Sequence, residues 1–133
     1  MKIKKISHVA FRCTDIEKSL HFYVSALGLK RVFDIETDDK KPWIIYLKVC
    51  KNQFIELFYN KPDDIKCDNL SYAHICLEVK DIEKAAAHIR KCGYAVTEPH
   101  KGKDLNIQAW VKDPDGNPIE LMQFDKESPQ AKA

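Results

Sequence analysis

An internal repeat restricts the fold of this 133-residue chain more than any other feature of its sequence. The segment His8–Lys18 resembles the segment His74–Lys84, and both end in Asp-Ile-Glu-Lys at a constant offset of 66 residues (74 − 8 and 84 − 18). Glu56 and Glu120, each inside an Ile-Glu-Leu triplet, match at an offset of 64 residues (120 − 56). One short deletion in a loop accounts for the difference. The sequence therefore predicts two copies of one structural unit.

The sequence of each half predicts one strand, one helix and three further strands, in the same order in both halves. The strand signal is a run of Val, Ile and aromatic residues with apolar and polar positions alternating. The predicted strands are 5–13, 30–36, 42–50 and 53–59 in the first half, and 72–80, 94–98, 105–112 and 118–124 in the second. A strong turn signal, Asp-Pro-Asp-Gly-Asn-Pro, leads into the last strand. Both halves are therefore interpreted as βαβββ modules.

The helix of each module is marked by residues at its start and its end. Asp15 and Asp81 suit the N-cap position, where a carboxylate accepts hydrogen bonds from free backbone N–H groups. The predicted apolar positions are Ile16, Leu20, Tyr23 and Leu27 in the first helix and Ile82, Ala85, Ala86 and Ile89 in the second, with Gly28 and Gly93 as the stops.

These elements predict an α+β fold built as one domain over residues 1–133. The modules span 3–60 and 71–124, and the linker 61–70 is rich in Pro, Asp, Asn and Lys. The two modules are expected to form an open eight-stranded, barrel-like sheet around a shared cavity. The tail after Phe124 has no apolar periodicity, so it is expected to fray.

Composition and charge exclude several classes of protein. Hydrophobic residues make up 44% and charged residues 32% of the chain, unlike a membrane protein or a disordered one. A net charge of +2, from 22 basic and 20 acidic residues, offers no electrostatic footprint for nucleic acid. The basic start over 1–6 leads into only a short apolar stretch, so neither a signal peptide nor a membrane span is expected. The five cysteines lack CxxC spacing, and reduced, mostly buried thiols in a cytoplasmic protein are expected.

Two histidines begin the repeated strands, one in each half. Because side chains alternate between the two faces of a strand, His8 lies opposite Val9 and Phe11, and His74 lies opposite Ile75 and Leu77. The aliphatic row is expected to pack against the helix. The histidine row is then expected to face the cavity.

Two glutamates stand in strongly apolar strands. Glu56 and Glu120 are flanked by Ile and Leu, in runs that are usually buried, and a buried carboxylate without a partner is costly. The partner is either a basic side chain or a metal ion. The match of both Glu and both His within the repeat favours a divalent metal held by two nitrogens and two oxygens, such as Ni, Co, Zn, Mn or Fe(II). The alternative is that these four residues pair among themselves or with Arg12.

These residues resemble those of a known superfamily. The repeat, the two His, the two Glu and the segment Asp113–Leu121 are similar to the vicinal-oxygen-chelate superfamily, which includes glyoxalase, bleomycin-resistance and extradiol dioxygenase proteins. Small bacterial-type glyoxalase I (lactoylglutathione lyase) is the closest group. The resemblance implies a metal site made of His8, Glu56, His74 and Glu120. It also implies a homodimer whose sites each take one His–Glu pair from each chain.

The same resemblance implies residues that hold a glutathione-containing substrate. An Arg four positions after the first His and an Asn four after the first Glu correspond to Arg12 and Asn60. Lys101, or Lys103, is a candidate cation for a substrate carboxylate. Tyr46 and Trp110 match within the repeat and are expected to line the cavity, unless they serve only the core. The alternative for Arg12 is an ion pair with a carboxylate such as Glu78.

The function implied is isomerisation of a 2-oxoaldehyde–thiol hemithioacetal to a 2-hydroxyacyl thioester, with Glu120 as the base and Glu56 as a metal ligand that also takes part in catalysis. The first alternative is another metal-dependent enzyme on the same scaffold, an epimerase or, less favoured, a dioxygenase, which typically uses two His and one Glu. The second is a resistance-type protein that binds a small molecule without catalysis.

Overall fold

A computed structural model describes residues 4–59 and 71–133. Its contacts divide the chain into two compact units, residues 1–65 and 66–133. The predicted linker 61–70 and the candidate residue Asn60 lie outside the described residues. No helix among the described residues is long and apolar enough to cross a membrane.

The first unit contains a four-stranded sheet with a helix. Its elements are β1 (His8–Arg12), α1 (Ile16–Leu20), a π-helical segment (His21–Ala26), β2 (Lys30–Glu36), β3 (Pro42–Cys50) and β4 (Gln53–Phe58). The strand order is β1-β4-β3-β2. Strand β1 runs parallel to β4, and the other neighbours are antiparallel. The four predicted strands are confirmed, with ends that differ by a few residues for β1.

The second unit repeats this topology. Its elements are β5 (Ile75–Glu78), α2 (Ile82–Lys91), β6 (His100–Lys101), β7 (Ile107–Lys112), β8 (Pro118–Gln123) and α3 (Pro129–Lys132). The strand order β5-β8-β7-β6 is that of the first unit, and β5 is again the parallel strand. The α+β class is confirmed. The prediction of one open eight-stranded sheet is wrong, because the described strands form two four-stranded sheets, one in each unit.

Both predicted helix caps are present. The Asp15 carboxylate accepts hydrogen bonds from the backbone N–H groups of Glu17 and Lys18, each at 3.1 Å. Asp81 accepts one from the Lys84 N–H, also at 3.1 Å. Because these bonds satisfy donors that have no partner inside the helix, they explain why each helix begins where the repeat places Asp.

The first helix buries Tyr23 of the predicted stripe, but the other three predicted positions, Ile16, Leu20 and Leu27, are only partly buried. Its buried residues are Ser19, Phe22, Tyr23 and Ala26, while Ile16 and Leu20 stay partly exposed. The chain widens into a π-helical turn, in which the Leu27 N–H donates to the Phe22 carbonyl at 3.0 Å. An i to i+5 bond adds residues to each turn, so the buried face moves relative to an α-helical pattern.

The core of each unit lies between one sheet face and the helix. In the first unit Ile45, Leu47 and Leu57 are fully buried, and the Phe11 ring stacks on the Tyr23 ring at 5.9 Å. The second unit buries the corresponding row with the α2 side chains, namely Ala109, Val111, Ile119 and Leu121 with Ile82, Ala86 and Ile89. Phe11 belongs to the predicted aliphatic row, so its contact with Tyr23 confirms for the first unit that this row packs against the helix. In the second unit, the register pairs Ile75 and Leu77 of that row with the buried Ile119 and Leu121.

The predicted strand over 94–98 is mostly absent. Val96 forms a single bridge with Val111, and the Thr97 N–H donates to the Trp110 carbonyl at 3.0 Å. Pro99 follows, and a proline has no N–H to continue the hydrogen-bond ladder. Pairing resumes only in the two-residue strand β6.

The prediction that the tail after Phe124 frays is wrong, because hydrogen bonds hold the tail in place. The fully buried Asn106 accepts a hydrogen bond from the Asp125 N–H at 2.9 Å and donates to the Gln130 side chain at 3.1 Å. Ser128 caps α3, with its hydroxyl accepting from the Ala131 N–H at 3.2 Å. Hydrogen bonds hold this segment in place, and the spacing of apolar residues in a sequence does not predict such bonds.

The expectation of mostly buried cysteines is also wrong for the described residues. The four described cysteines are free thiols, but Cys13 alone among them is buried. Cys50 and Cys76 are exposed, and Cys92 is intermediate. The two exposed cysteines lie on strands, where alternation turns every second side chain away from the core.

Candidate functional site

In the first unit, the pairing of β1 with β4 brings a histidine to a glutamate. Ala10 lies opposite Glu56 in the parallel register, so Glu56 shares its sheet face with His8, which is two residues from Ala10. The His8 Nδ1 atom lies 3.3 Å from Glu56 Oε1. The hydrophobic neighbours of Glu56, Ile55 and Leu57, point to the helix side.

The second unit builds the same pair from β8 and the residue just before β5. Cys76 lies opposite Glu120, which places Glu120 on the face of His74. The His74 Nε2 atom lies 3.3 Å from Glu120 Oε2. The repeat seen in the sequence is thus also a repeat in geometry.

The glutamates are buried, and the histidines are open to solvent. Side-chain exposure is 6% for Glu56 and 8% for Glu120, against 49% for His8 and 39% for His74. Apart from the His8 Nδ1 atom at 3.3 Å, which does not meet hydrogen-bond geometry, no donor of the described residues reaches the buried Glu56 Oε1 atom. A buried acceptor in this state is costly unless a cation compensates it.

A divalent metal fits this donor set. Imidazole nitrogen and carboxylate oxygen suit Zn, Co, Ni, Mn or Fe(II), and in each pair a nitrogen and an oxygen already face one another. Within residues 4–59 and 71–133 no group of three or more His, Cys, Asp or Glu side chains is placed to hold an ion. Each pair by itself therefore offers one nitrogen and one oxygen donor.

Tyr46 and Trp110 lie on the strands next to the two glutamates. Tyr46 is opposite Glu56 on β3, and Trp110 is opposite Glu120 on β7. The Glu56 carboxylate, which accepts a hydrogen bond from the phenol, raises the pKa of Tyr46, and burial adds to the effect. The Trp110 ring instead meets the His74 ring edge-on, with 4.9 Å between centroids.

An apolar cavity of about 460 Å³ opens beside Trp110 in the second unit. Its other lining residues are Ala95, Val96, Thr97, Val111, Lys112 and Pro118. The cavity therefore lies next to the ring that contacts His74. It offers room for an apolar part of a small molecule, with one lysine at the lining.

Arg12 lies on the histidine face of the first sheet. The register pairs it with Phe58, and its guanidinium stands 5.8 Å above that ring. The side chain is exposed, and no acidic side chain among the described residues of the first unit forms an ion pair with it. The alternative of an ion pair between Arg12 and a carboxylate such as Glu78, which lies in the second unit, stays a prediction.

Lys101 is placed differently from the other candidates. It pairs with Ile107, so it lies on the sheet face opposite to that of Gln108 and Trp110. Its Nζ atom is 3.9 Å from Asp125. The structure does not bring Lys101 to the face that carries Glu120, and the residue that the register places there is its neighbour His100.

Sequence reasoning missed one neighbour of the site, Cys76. Its thiol lies beside Glu120. Although Cys76 is exposed as a residue, partial burial of the thiol together with the Glu120 charge raises the pKa of Cys76 to about 12. The thiol is therefore uncharged at neutral pH. The signal was available, because Cys76 is two residues after His74 and so shares its face.

Comparison with known proteins gives the same assignment as the motifs. Residues 5–121 match the model of the Glyoxalase/Bleomycin resistance protein/Dioxygenase superfamily. The lactoylglutathione lyase of Escherichia coli O157:H7 is 33% identical over 125 residues, which cover 90% of this chain and 92% of that protein. A probable lactoylglutathione lyase of Synechocystis is 36% identical over 121 residues, covering 87% and 92%.

Solved structures share the fold as well as the sequence pattern. A crystal structure of a glyoxalase I variant from Zea mays superposes with a TM-score of 0.79 at 26% identity. The match covers 90% of this chain and 45% of the longer maize chain. With the family match over nearly the whole length, the resemblance inferred from the residues is confirmed: this chain belongs to the glyoxalase/bleomycin resistance protein/dioxygenase superfamily.

Proposed function

We propose that this protein is a metal-dependent, glyoxalase I-like lyase that converts a 2-oxoaldehyde–thiol hemithioacetal to a 2-hydroxyacyl thioester. One observation carries the proposal: two repeat-related pairs, each an imidazole nitrogen 3.3 Å from a nearly buried carboxylate oxygen. Relatives named lactoylglutathione lyase, at 33% and 36% identity, support this reaction over others of the superfamily.

The metal ligands in this proposal are His8, Glu56, His74 and Glu120. A divalent cation, Ni²⁺, Co²⁺ or Zn²⁺, supplies Lewis-acid stabilisation of the negative charge that develops on two adjacent substrate oxygens. The unsatisfied Glu56 Oε1 supports a cation at this position, since a positive charge would compensate it.

The proposed base is Glu120. Glu120 takes the proton from C1 of the hemithioacetal and returns it to C2, while a proton passes from the C1 hydroxyl to the C2 oxygen. C1 is oxidised to the thioester carbonyl and C2 is reduced to the alcohol, so the reaction needs no external oxidant or reductant. Low exposure of Glu120 suits a base, because burial keeps competing water away from it.

The substrate is proposed to contact residues on the same sheet faces. The exposed Arg12 guanidinium suits a carboxylate of glutathione, and Asn60 is the matching polar residue four positions after Glu56. Tyr46 and Trp110 are aromatic neighbours of the two half-sites. Lys101 has the weakest support among these residues, because it lies on the opposite sheet face and near Asp125.

Metal-dependent turnover tests the proposal. The protein is stripped of metal and reloaded separately with Ni²⁺, Co²⁺ and Zn²⁺, and the loading is verified by elemental analysis. We expect thioester formation from the methylglyoxal–glutathione hemithioacetal, followed by ultraviolet absorbance, only in loaded samples. Protein that holds its metal but yields no thioester with any of the three ions would overturn the proposed substrate and leave epimerisable acids or bound drugs to test.

A homodimer is proposed to complete each site. One protomer contributes His8 and Glu56, and the partner contributes the second pair, since each unit of the described chain presents two ligands. Mixing two inactive variants tests this arrangement. The first is His8→Ala with Glu56→Gln, and the second is His74→Ala with Glu120→Gln.

Random exchange of subunits makes half of the dimers mixed, and each mixed dimer has one intact site of two. We therefore expect the mixture to recover about a quarter of wild-type turnover. Each variant mixed with itself is the control and stays inactive. Wild-type metal binding without any recovery in the mixture would contradict shared sites.

A further inference from the structure

The cavity beside Trp110 lies at a place that the first unit fills with aromatic rings. Three of the residues that line the cavity have a repeat counterpart in the first unit at a constant offset of 64 residues, and each counterpart carries an aromatic ring. These counterparts are Phe33 for Thr97, Tyr46 for Trp110 and Phe54 for Pro118 (97 − 33, 110 − 46 and 118 − 54). The repeat therefore allows the same place to be compared in the two units.

Strand pairing gives the same correspondence as the sequence offset. In the first unit, Phe33 on β2 is opposite Tyr46 on β3. In the second unit, the Thr97 N–H donates to the Trp110 carbonyl at 3.0 Å, so these two residues are also neighbours across the strands. Thr97 thus stands where the first unit has a phenylalanine.

The three rings of the first unit pack against one another. Phe33 stacks on Tyr46 with 4.2 Å between centroids, and Phe54 meets the two rings edge-on at 6.4 and 6.0 Å. Among the residues that line the cavity, all within 71–133, Trp110 alone is aromatic. The second unit therefore lacks two of the three rings at this place, and it has a cavity of about 460 Å³ instead.

Hydrogen bonds hold the wall of the cavity that contains Thr97. The Thr97 hydroxyl accepts a hydrogen bond from the Trp110 N–H at 2.8 Å. The Arg90 guanidinium donates to the carbonyls of Val96 and Thr97 at 3.3 and 3.2 Å, and to the Glu98 carboxylate at 2.8 Å. Because the wall is fixed by the protein itself, a ligand does not have to order it on binding, which favours affinity.

The lining combines apolar side chains with one positive charge. Its apolar residues are Ala95, Val96, Trp110, Val111 and Pro118. The charge is that of Lys112, which is exposed, and within residues 71–133 no acidic side chain forms an ion pair with it. The volume falls within the range of small-molecule sites, roughly 300 to 1,000 Å³, and such sites are mostly apolar with a few polar groups.

We propose that this cavity is a second small-molecule site, which takes an aryl carboxylate with its rings against Trp110 and its carboxylate near Lys112. The two rings that the second unit lacks indicate a ligand with two fused aromatic rings. None of the lining residues is a proposed metal ligand. The inference therefore goes beyond the proposed function, and binding here requires neither metal nor turnover.

Nuclear magnetic resonance of the full-length, ¹⁵N-labelled protein tests the site with 2-naphthoate as the probe. The chain has two tryptophans, and the Trp43→Phe variant identifies which indole N–H signal belongs to Trp110. We expect the Trp110 signal to shift in a saturable way, with a Kd below about 1 mM. The Kd should be the same in protein stripped of metal and in protein loaded with Zn²⁺. Binding that requires Zn²⁺, or a titration that leaves the Trp110 signal unmoved, would overturn the inference.

The neutral probe 2-naphthamide tests the role of Lys112. It has the same rings without the charge, so we expect the wild type to bind it about three- to fivefold more weakly than 2-naphthoate, as for an exposed ion pair. Lys112→Gln should remove this difference and leave the affinity for 2-naphthamide unchanged. Lys91→Gln, at the exposed end of α2, is the matched control and should keep the difference. An equal preference for the carboxylate in wild type and Lys112→Gln would show that Lys112 does not recognise the charge, which contradicts the proposal.

The Thr97→Phe variant tests the place of the rings, because it restores the ring that the first unit has at this position. We expect it to fold and to lose binding of both naphthalene probes at least 10-fold, since the added ring occupies the cavity. Pro118→Phe is the second variant, with the same expected result if Thr97→Phe fails to fold. A folded variant of either kind that binds 2-naphthoate as the wild type does would refute the site. Displacement of 2-naphthoate by S-methylglutathione would also refute a second site, because the cavity would then belong to the substrate site.

Discussion

Replacing Glu120 with glutamine is expected to lower kcat for the methylglyoxal–glutathione hemithioacetal by about 10³-fold, within the range for removal of a general base. The amide keeps the size of the side chain and an oxygen that can face the metal, but it cannot accept the C1 proton. Because Glu120 is 8% exposed, water has little access to replace it. Steady-state kinetics on the Ni²⁺ or Co²⁺ protein, with metal content measured in parallel, give the result.

The control for Glu120→Gln is Glu83→Gln on the exposed side of α2. This variant removes the same charge from the same unit, and we expect it to keep wild-type kinetics. Retained turnover in Glu120→Gln, with loss of turnover in Glu56→Gln at full metal loading, would exchange the proposed roles.

Replacing Glu56 with glutamine is expected to change stability in opposite directions with and without metal. In metal-free protein the wild type keeps a nearly buried carboxylate whose Oε1 atom receives no hydrogen bond from the described residues. Exchanging that charge for an amide should raise the free energy of unfolding by about 1 kcal/mol. Urea denaturation in the presence of a chelator measures this difference.

Bound metal should reverse this difference in the free energy of unfolding and make the wild type more stable than the Glu56→Gln variant. At 100 times its dissociation constant, an ion that binds only the folded state adds about 2.7 kcal/mol to the wild type. The Glu56→Gln variant should gain much less, because one ligand is weakened. Glu36→Gln on strand β2, where the side chain is exposed, serves as the control and should respond to metal as the wild type does. If the same protein, wild type or Glu56→Gln, is the more stable one both with chelator and with metal, the assignment of Glu56 as a ligand is wrong.

Most of the architecture could be predicted from local sequence patterns, because helix caps and strand alternation depend on residues only a few positions apart. Asp15 and Asp81 mark helix starts since a capping carboxylate bonds N–H groups two or three positions ahead. Strand alternation predicted which residues pack against the helices, and the repeat predicted one topology twice. The strand pattern over 94–98 predicted a full strand, but Pro99 interrupts the pairing there. The helical spacing predicted the buried face of the first helix only in part, because a π-helical turn moves that face.

The sequence by itself determined that each half carries one histidine at the start of a strand and one carboxylate inside an apolar strand, because these patterns are properties of the chain order. The register between the strands, which only the tertiary structure decides, puts the two side chains on one sheet face. Tertiary structure decided what surrounds each pair. Strand register sets Tyr46 against Glu56 and Cys76 against Glu120, and it turns Lys101 to the other face. It also ties the tail through Asn106. These contacts join residues distant in sequence, and a one-residue change in register would reverse the face of every side chain on the strand.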